Sequence, residues 1–230
     1  MSMIKPAPFL FLDMNTTSDF FDATGVMKVA DAALIRKRLR PFVEAITEAK
    51  LFTLAVTDSH VKDDPEFAAN ALPPHGVYGT PGHRKIVETE NKAAPVIPVS
   101  GQRRPWPNIP EFRQRGGQML LEKNTFDAFA NPAMRELLRS FQPKEVVMYG
   151  AVFEQDLKVT AIAARVLAFS VTIIEDLSGH RNPEQRLAAK GEMEKRGVHF
   201  EPLEEFMLRF TEWQKKAERV HAAATPSKKK

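Results

Sequence analysis

Glu145-Val-Val-Met-Tyr-Gly-Ala-Val-Phe-Glu-Gln-Asp-Leu-Lys-Val-Thr160 is the stretch whose reading decides the fold. Residues 146–149 form an apolar run of the kind found in strands buried on both faces. Gly150 and a short turn follow, and a helix is expected to start near Glu154 and run to about Phe169. In open α/β sheets, ligands sit outside the carboxyl ends of the strands, beside helix N-termini. Asp156 falls in the first turn of that helix. It is either an acid favoured at a positive helix end, worth ~0.3–1 kcal/mol, or a reactive group in the crevice.

The chain has 230 residues, 43% of them hydrophobic and 27% charged, the balance of a globular domain with a proper core. No apolar run approaches the length of a membrane span. The first residues, Met-Ser-Met-Ile-Lys-Pro, lack the pattern of a secretory signal, so a cytoplasmic location is expected. There is no cysteine, which excludes disulfides and thiolate chemistry. The net charge is +4, but Lys228, Lys229 and Lys230 supply three of those charges. The body therefore has no electrostatic footprint for nucleic acid, and no membrane partner is expected.

Outward from the opening stretch the same grammar repeats. Residues 8–14 (PFLFLDM) and 51–57 (LFTLAVT) read as buried strands, and residues 118–123 (QMLLEK) as a shorter one. Residues 170–175 and 198–200 read as later strands. Asp31 is expected to cap a helix to about Lys50, kinked or broken at Pro41. Residues 83–89 are expected to form a short helix. Residues 90–117, rich in proline, read as a surface excursion around a short strand at 96–99, serving as a lid or oligomer contact. Asn131-Pro132 and Asn182-Pro183 begin helices, and a last helix covers residues 203–221. The whole is one domain, residues 1–221, with a disordered basic tail at 222–230. Its class is α/β: a doubly wound, mainly parallel sheet with helices on both faces.

Polar residues gather at the strand ends: Asp13 and Asn15, Asp58 and His60, Lys123, then Asp156. Asp58, His60, Asp64 and His75 lie on two neighbouring loops, and imidazole with carboxylate suits Zn, Fe or Mn. That spacing is also compatible with an ordinary solvated acidic turn. Lys123 is either a surface lysine or one desolvated beside a carboxylate. The run Gly76-x-x-Gly79-x-x-Gly82 lacks the lysine and hydroxyl of a phosphate cradle and reads as loop glycine.

Taken together, the motifs resemble the isochorismatase-like cysteine hydrolases, most closely their nicotinamidase branch. The resemblance rests on Ser18-Asp-Phe20, Thr57-Asp-Ser-His60, Asp64-Pro-Glu-Phe67, Pro73-Pro-His-Gly-Val-Tyr-Gly-Thr-Pro-Gly82, Glu122-Lys-Asn-Thr-Phe-Asp-Ala-Phe129 and residues 150–161. It implies a six-stranded parallel sheet and frequent homo-oligomers. It implies a divalent metal at Asp58, His60, Asp64 and His75, with Asp64 standing where many members carry histidine. It implies an Asp–Lys–Cys triad whose positions are Asn15, Lys123 and Asp156 here. A further family cysteine corresponds to Gly76.

Two of the three triad members are therefore changed. Asn15 cannot accept a proton, and a carboxylate attacking an amide would form an anhydride, a better acyl donor than the amide it replaces. The substitutions conserve charge, so a Lys123–Asp156 ion pair is expected, with the helix end and Lys123 both holding Asp156 ionised. The first reading is a nicotinamidase-like protein without cysteine hydrolase activity, keeping a metal-containing pocket for a small amide or carboxylate ligand. The second is a hydrolase using metal-activated water, with Asp156 or Asp13 as base and Lys123 stabilising the oxyanion. The third is a structural subunit of an oligomer.

Overall fold

A computed structural model describes residues 8–99 and 109–224. β1 (Phe9–Met14) lies at the centre of the sheet with every residue buried, as its unbroken apolar run requires. On one side it pairs with β2 (Phe52–Asp58), which is followed outward by β4 (Gly117–Lys123) and by β3 (Val96–Ile97) at the edge. On the other side come β5 (Glu145–Gly150), β6 (Val171–Ser178) and β7 (His199–Glu201). Every pairing is parallel. The sheet thus has seven strands rather than the six expected. The difference lies in the edges, where strands of two and three residues complete it.

From β1 the chain moves outward one way, then returns to place β5 on β1's other edge. That reversal opens a crevice at the carboxyl ends of β1 and β5. The helices α1 (Ser18–Phe21), α2 (Ala32–Glu48) and α8 (Leu203–Ala224) cover one face. There Phe11, Phe42, Tyr149, Phe206 and Phe210 meet with ring centroids 5.2–6.5 Å apart, mostly edge to face. Burying each such side chain contributes about 1.5–3 kcal/mol. The helices α5 (Ala133–Phe141), α6 (Lys158–Val166) and α7 (Pro183–Lys195) cover the other face, where Phe52 stacks on Phe141 at 4.0 Å. Two short helices, α3 (Pro65–Ala69) and α4 (Ile109–Arg115), lie between strands. No helix among the described residues is long and apolar enough to cross a membrane.

Several local expectations are corrected. α2 runs unbroken through Pro41, which is exposed, while Leu39, Phe42 and Ile46 are buried on either side of it. The lost hydrogen bond falls on the solvent face, and packing holds both turns to the sheet. Asp31 precedes α2 with a left-handed backbone (φ 56°), and its side chain makes no cap hydrogen bond. Residues 83–89 form turns instead of a helix. Lys85 bridges Thr17, and backbone bonds from Ser18 to Arg84 and from Ile86 to Thr16 tie the segment to the chain leaving β1. The expected excursion at 90–117 contains β3 and α4, whose Phe112 packs edge-on against Phe52; its residues 100–108 lie outside the described part. The expected strand there shrinks to Val96–Ile97. The helix after the opening stretch ends at Val166, short of Phe169. The last helix reaches Ala224, past residue 221, and residues 225–230 of the expected tail lie outside the described part.

Gly150 closes β5 with φ at +114°, and a Cβ there would meet the Met14 carbonyl oxygen at 1.9 Å. Gly150→Ala is therefore expected to lower unfolding free energy by about 2 kcal/mol or more. A urea midpoint unchanged from the native protein would contradict this.

Candidate functional site

Four neighbouring strands deliver one polar group each. The register of β2 on β4 sets Asp58 beside Lys123 at their carboxyl ends. Asn15 follows β1 in a left-handed conformation (φ 46°), which asparagine tolerates better than most residues. The segment after β5 is a single π-helical turn, Phe153–Leu157, leading into α6, and it carries Asp156. All four side chains are buried.

Their hydrogen bonds form one closed network. Asn15 Oδ1 accepts from the Asp58 backbone N–H at 2.8 Å, and its Nδ2 donates to Asp58 Oδ2 at 2.8 Å and to Asp156 Oδ1 at 3.1 Å. Lys123 Nζ donates to Asp156 Oδ1 at 2.5 Å, to the Thr125 carbonyl at 2.9 Å and to Asp58 Oδ1. The Val152 N–H donates to Asp156 Oδ2 at 3.2 Å. The Lys123–Asp156 ion pair expected from the sequence is present, and Asp58 shares the ammonium.

One cation between two carboxylates changes the electrostatics. Burial works against the charge on Lys123, but Asp156 and Asp58 outweigh it and raise the lysine pKa. Burial pushes the Asp156 carboxyl up to about 6, against the pull of Lys123 and with a further push from Asp58. Lys123 thus favours the ionised form of Asp156, as expected, but does not hold its pKa at the ordinary carboxylate value. Desolvation and the second carboxylate win over a helix terminus that is itself an irregular turn.

Of the four expected ligands, Asp58, His60 and His75 offer donor atoms within 4.8 Å of one another. The His75 Nδ1–H donates to the Pro73 carbonyl at 2.9 Å, which leaves the Nε2 lone pair facing Asp58 Oδ2 at 3.7 Å. Two lone-pair atoms facing across such a gap suit a cation between them. His60 is kept neutral by burial, which lowers its pKa against Asp58 and Asp64. Asp64 stands apart from this trio. Its Oδ1 caps α3 through the Glu66 N–H, and its Oδ2 bonds His60 Nδ1 at 3.0 Å, the geometry of a carboxylate that orients a ligating histidine. The backbone at Gly76 (φ 53°) brings this loop so close that a Cβ would lie 2.7 Å from that of Asp58.

Glu66 was missed, since the acidic turn reads as solvated surface. Asp64 as cap and Pro65 at the first helical position place it in the first turn of α3, a signal available from spacing alone. It shares a second ligand group with His60 and Asp64, and its buried Oε2 has no hydrogen-bond partner. Burial pushes its pKa to about 7, opposed by Lys123 and helped by Asp58, Asp156 and Asp64. Asp13, considered as a base, is instead bound to Lys85 at 2.6 Å and to the Thr16 hydroxyl at 2.6 Å.

The sequence profile of the isochorismatase domain matches residues 8–205. No curated protein matches the chain. Among solved structures, a nicotinamidase/pyrazinamidase from Bacillus subtilis is similar over 84% of this chain and 98% of its own, at 21% identity and a TM-score of 0.66. A pyrazinamidase of Pyrococcus horikoshii, in complex with zinc, is similar over 85% of this chain and 99% of its own, at 19% identity and a TM-score of 0.67. An isochorismatase-like hydrolase from Alkaliphilus metalliredigens covers 89% of this chain and 100% of its own, at 16% identity and a TM-score of 0.70. At these identities the likeness is one of fold.

Because the folded-state pKa of Asp156 is raised from 3.8 to about 6, its contribution to stability is complete below the lower value and is lost as pH rises through the upper. Asp156→Asn should therefore flatten the dependence of unfolding free energy on pH across that window. Parallel curves for the native protein and the variant would show that Asp156 does not titrate there.

Proposed function

The chain belongs to the isochorismatase domain family, and we propose that it is a small-molecule-binding member that has lost thiolate hydrolysis and kept a divalent-cation site. The observation that carries this reading is Asp156. The resemblance puts a nucleophilic thiol at that position, in a chain that has no cysteine anywhere. Attack by the Asp156 carboxylate on an amide carbon would expel the amine and leave a mixed anhydride more reactive than the amide consumed. Asn15 offers no base to take a proton.

The donor set supports the cation. Asp58, His60 and His75 would hold a divalent ion of the Zn, Fe or Mn class, with Asp64 orienting His60 and Glu66 close by. When bound, such an ion supplies charge neutralisation and Lewis acidity. The zinc complex of the pyrazinamidase from Pyrococcus horikoshii agrees with this choice of metal class.

A hydrolase of altered chemistry is the second reading. It is favoured by Asp156, whose carboxyl titrates near 6 and so suits a general base at neutral pH. Lys123 weighs against it. Stabilising an oxyanion needs a free N–H, and all of those on Lys123 already have acceptors.

Ammonia release from nicotinamide and pyrazinamide, with zinc content measured after dialysis, tests the proposal. The expected result is no turnover and about one zinc per chain, with the zinc lost in His60→Ala and His75→Ala. Turnover of roughly 1 per second or faster would sink it. Slower turnover abolished by Asp156→Ala would favour the second reading.

A further inference from the structure

We infer that the organic ligand of this pocket carries a protonated amine or amidine and not a carboxylate, which deepens the proposed binding function and rests on it. The argument is an inventory of donors and acceptors. An ammonium has three N–H groups, and those of Lys123 go to Asp58, Asp156 and the Thr125 carbonyl. The two N–H groups of the Asn15 amide go to Asp58 and Asp156. The Val152 N–H goes to Asp156 Oδ2. Every donor of this network is thus consumed inside the protein, and the Asp156 carboxylate sits where an incoming acid would seek them.

What remains is acceptor capacity. Asp156 Oδ2 has the Val152 N–H as its one protein partner among the described residues. Glu66 Oε2 is buried and has none. Glu66 is half-buried and lies close enough to Lys123, Asp58 and Asp156 for their charges to act on it. Asp58 and Asp156 share one lysine and Glu66 lies near all three, so an organic acid would meet carboxylates with no N–H of the network free to receive it. An ammonium or amidinium brings several N–H groups and a positive charge to the same place.

The test uses 3-(aminomethyl)pyridine and nicotinate, which share a ring and differ in the charged group, with calorimetric titration of the full chain before and after addition of zinc. The amine should bind at least about tenfold more tightly than nicotinate. Glu66→Gln should weaken the amine by about tenfold. Asp156→Ala frees donors on Lys123, Asn15 and Val152 together, and should reverse the order so that nicotinate binds better. Nicotinate binding the native protein as well as the amine does would overturn the inference. So would undetectable amine binding, or amine affinity unchanged in Glu66→Gln, a variant whose half-buried position makes it the safer test if Asp156→Ala fails to fold. These outcomes are separate from nicotinamide turnover, which bears on the functional reading and leaves the ordering of the two probes untouched.

Discussion

The pocket hangs on one buried ammonium. Lys123 ends β4, Asp58 ends β2, and Asp156 stands beyond β5, so the salt bridges of this lysine tie together strands that are not all neighbours. Asn15, beyond the strand between them, fills the remaining gap with its amide. A buried charge is costly to isolate, and removing one partner from such a set typically costs about 3–5 kcal/mol. The polar floor of the crevice is therefore as much a structural clamp as a chemical site.

Asn15 and Asp156 are fitted to each other. With asparagine at position 15, an amide serves two carboxylates at once, which an aspartate could not do. With aspartate at position 156, Lys123 acquires a second anion. The two residues satisfy each other, since the Asn15 amide donates to the Asp156 carboxylate. Beside the histidines and the lysine lies a network in which every N–H of Lys123 and of the Asn15 amide already has an acceptor.

Much of this was legible in the sequence. The strands were readable because parallel strands buried on both faces must be apolar throughout, and the polar residue ending each run marks the rim of the sheet. Asn15, Asp58, Lys123 and Asp156 were found in that way. The sharing of Lys123 by Asp58 was not, because it depends on the register of β2 against β4, which no local pattern encodes. Glu66 was passed over because an acid near a proline turn looks the same whether solvent or a pocket lies in front of it. Asp31 and Pro41 misled in opposite directions. A good capping residue was placed in a left-handed backbone, and a helix breaker was overruled by packing on either side. The short edge strands fell below the length at which alternation or apolarity can be recognised.

The central position of β1 has a consequence for synthesis. Its first partner, β2, begins at Phe52, but the partner for its other edge, β5, begins only at Glu145. At about 5–20 residues per second, the ribosome takes several seconds or more to supply that partner. For that interval the segment Phe-Leu-Phe-Leu has one bare, fully apolar edge, the kind of segment that pairs with other chains. Because Asn15 finds its acceptors only on β2 and beyond β5, the pocket cannot assemble before β5 and the turn after it are made. Occupancy of the site by a cation or ligand would then hold closed a sheet whose middle strand waits for β5 before both of its edges are paired.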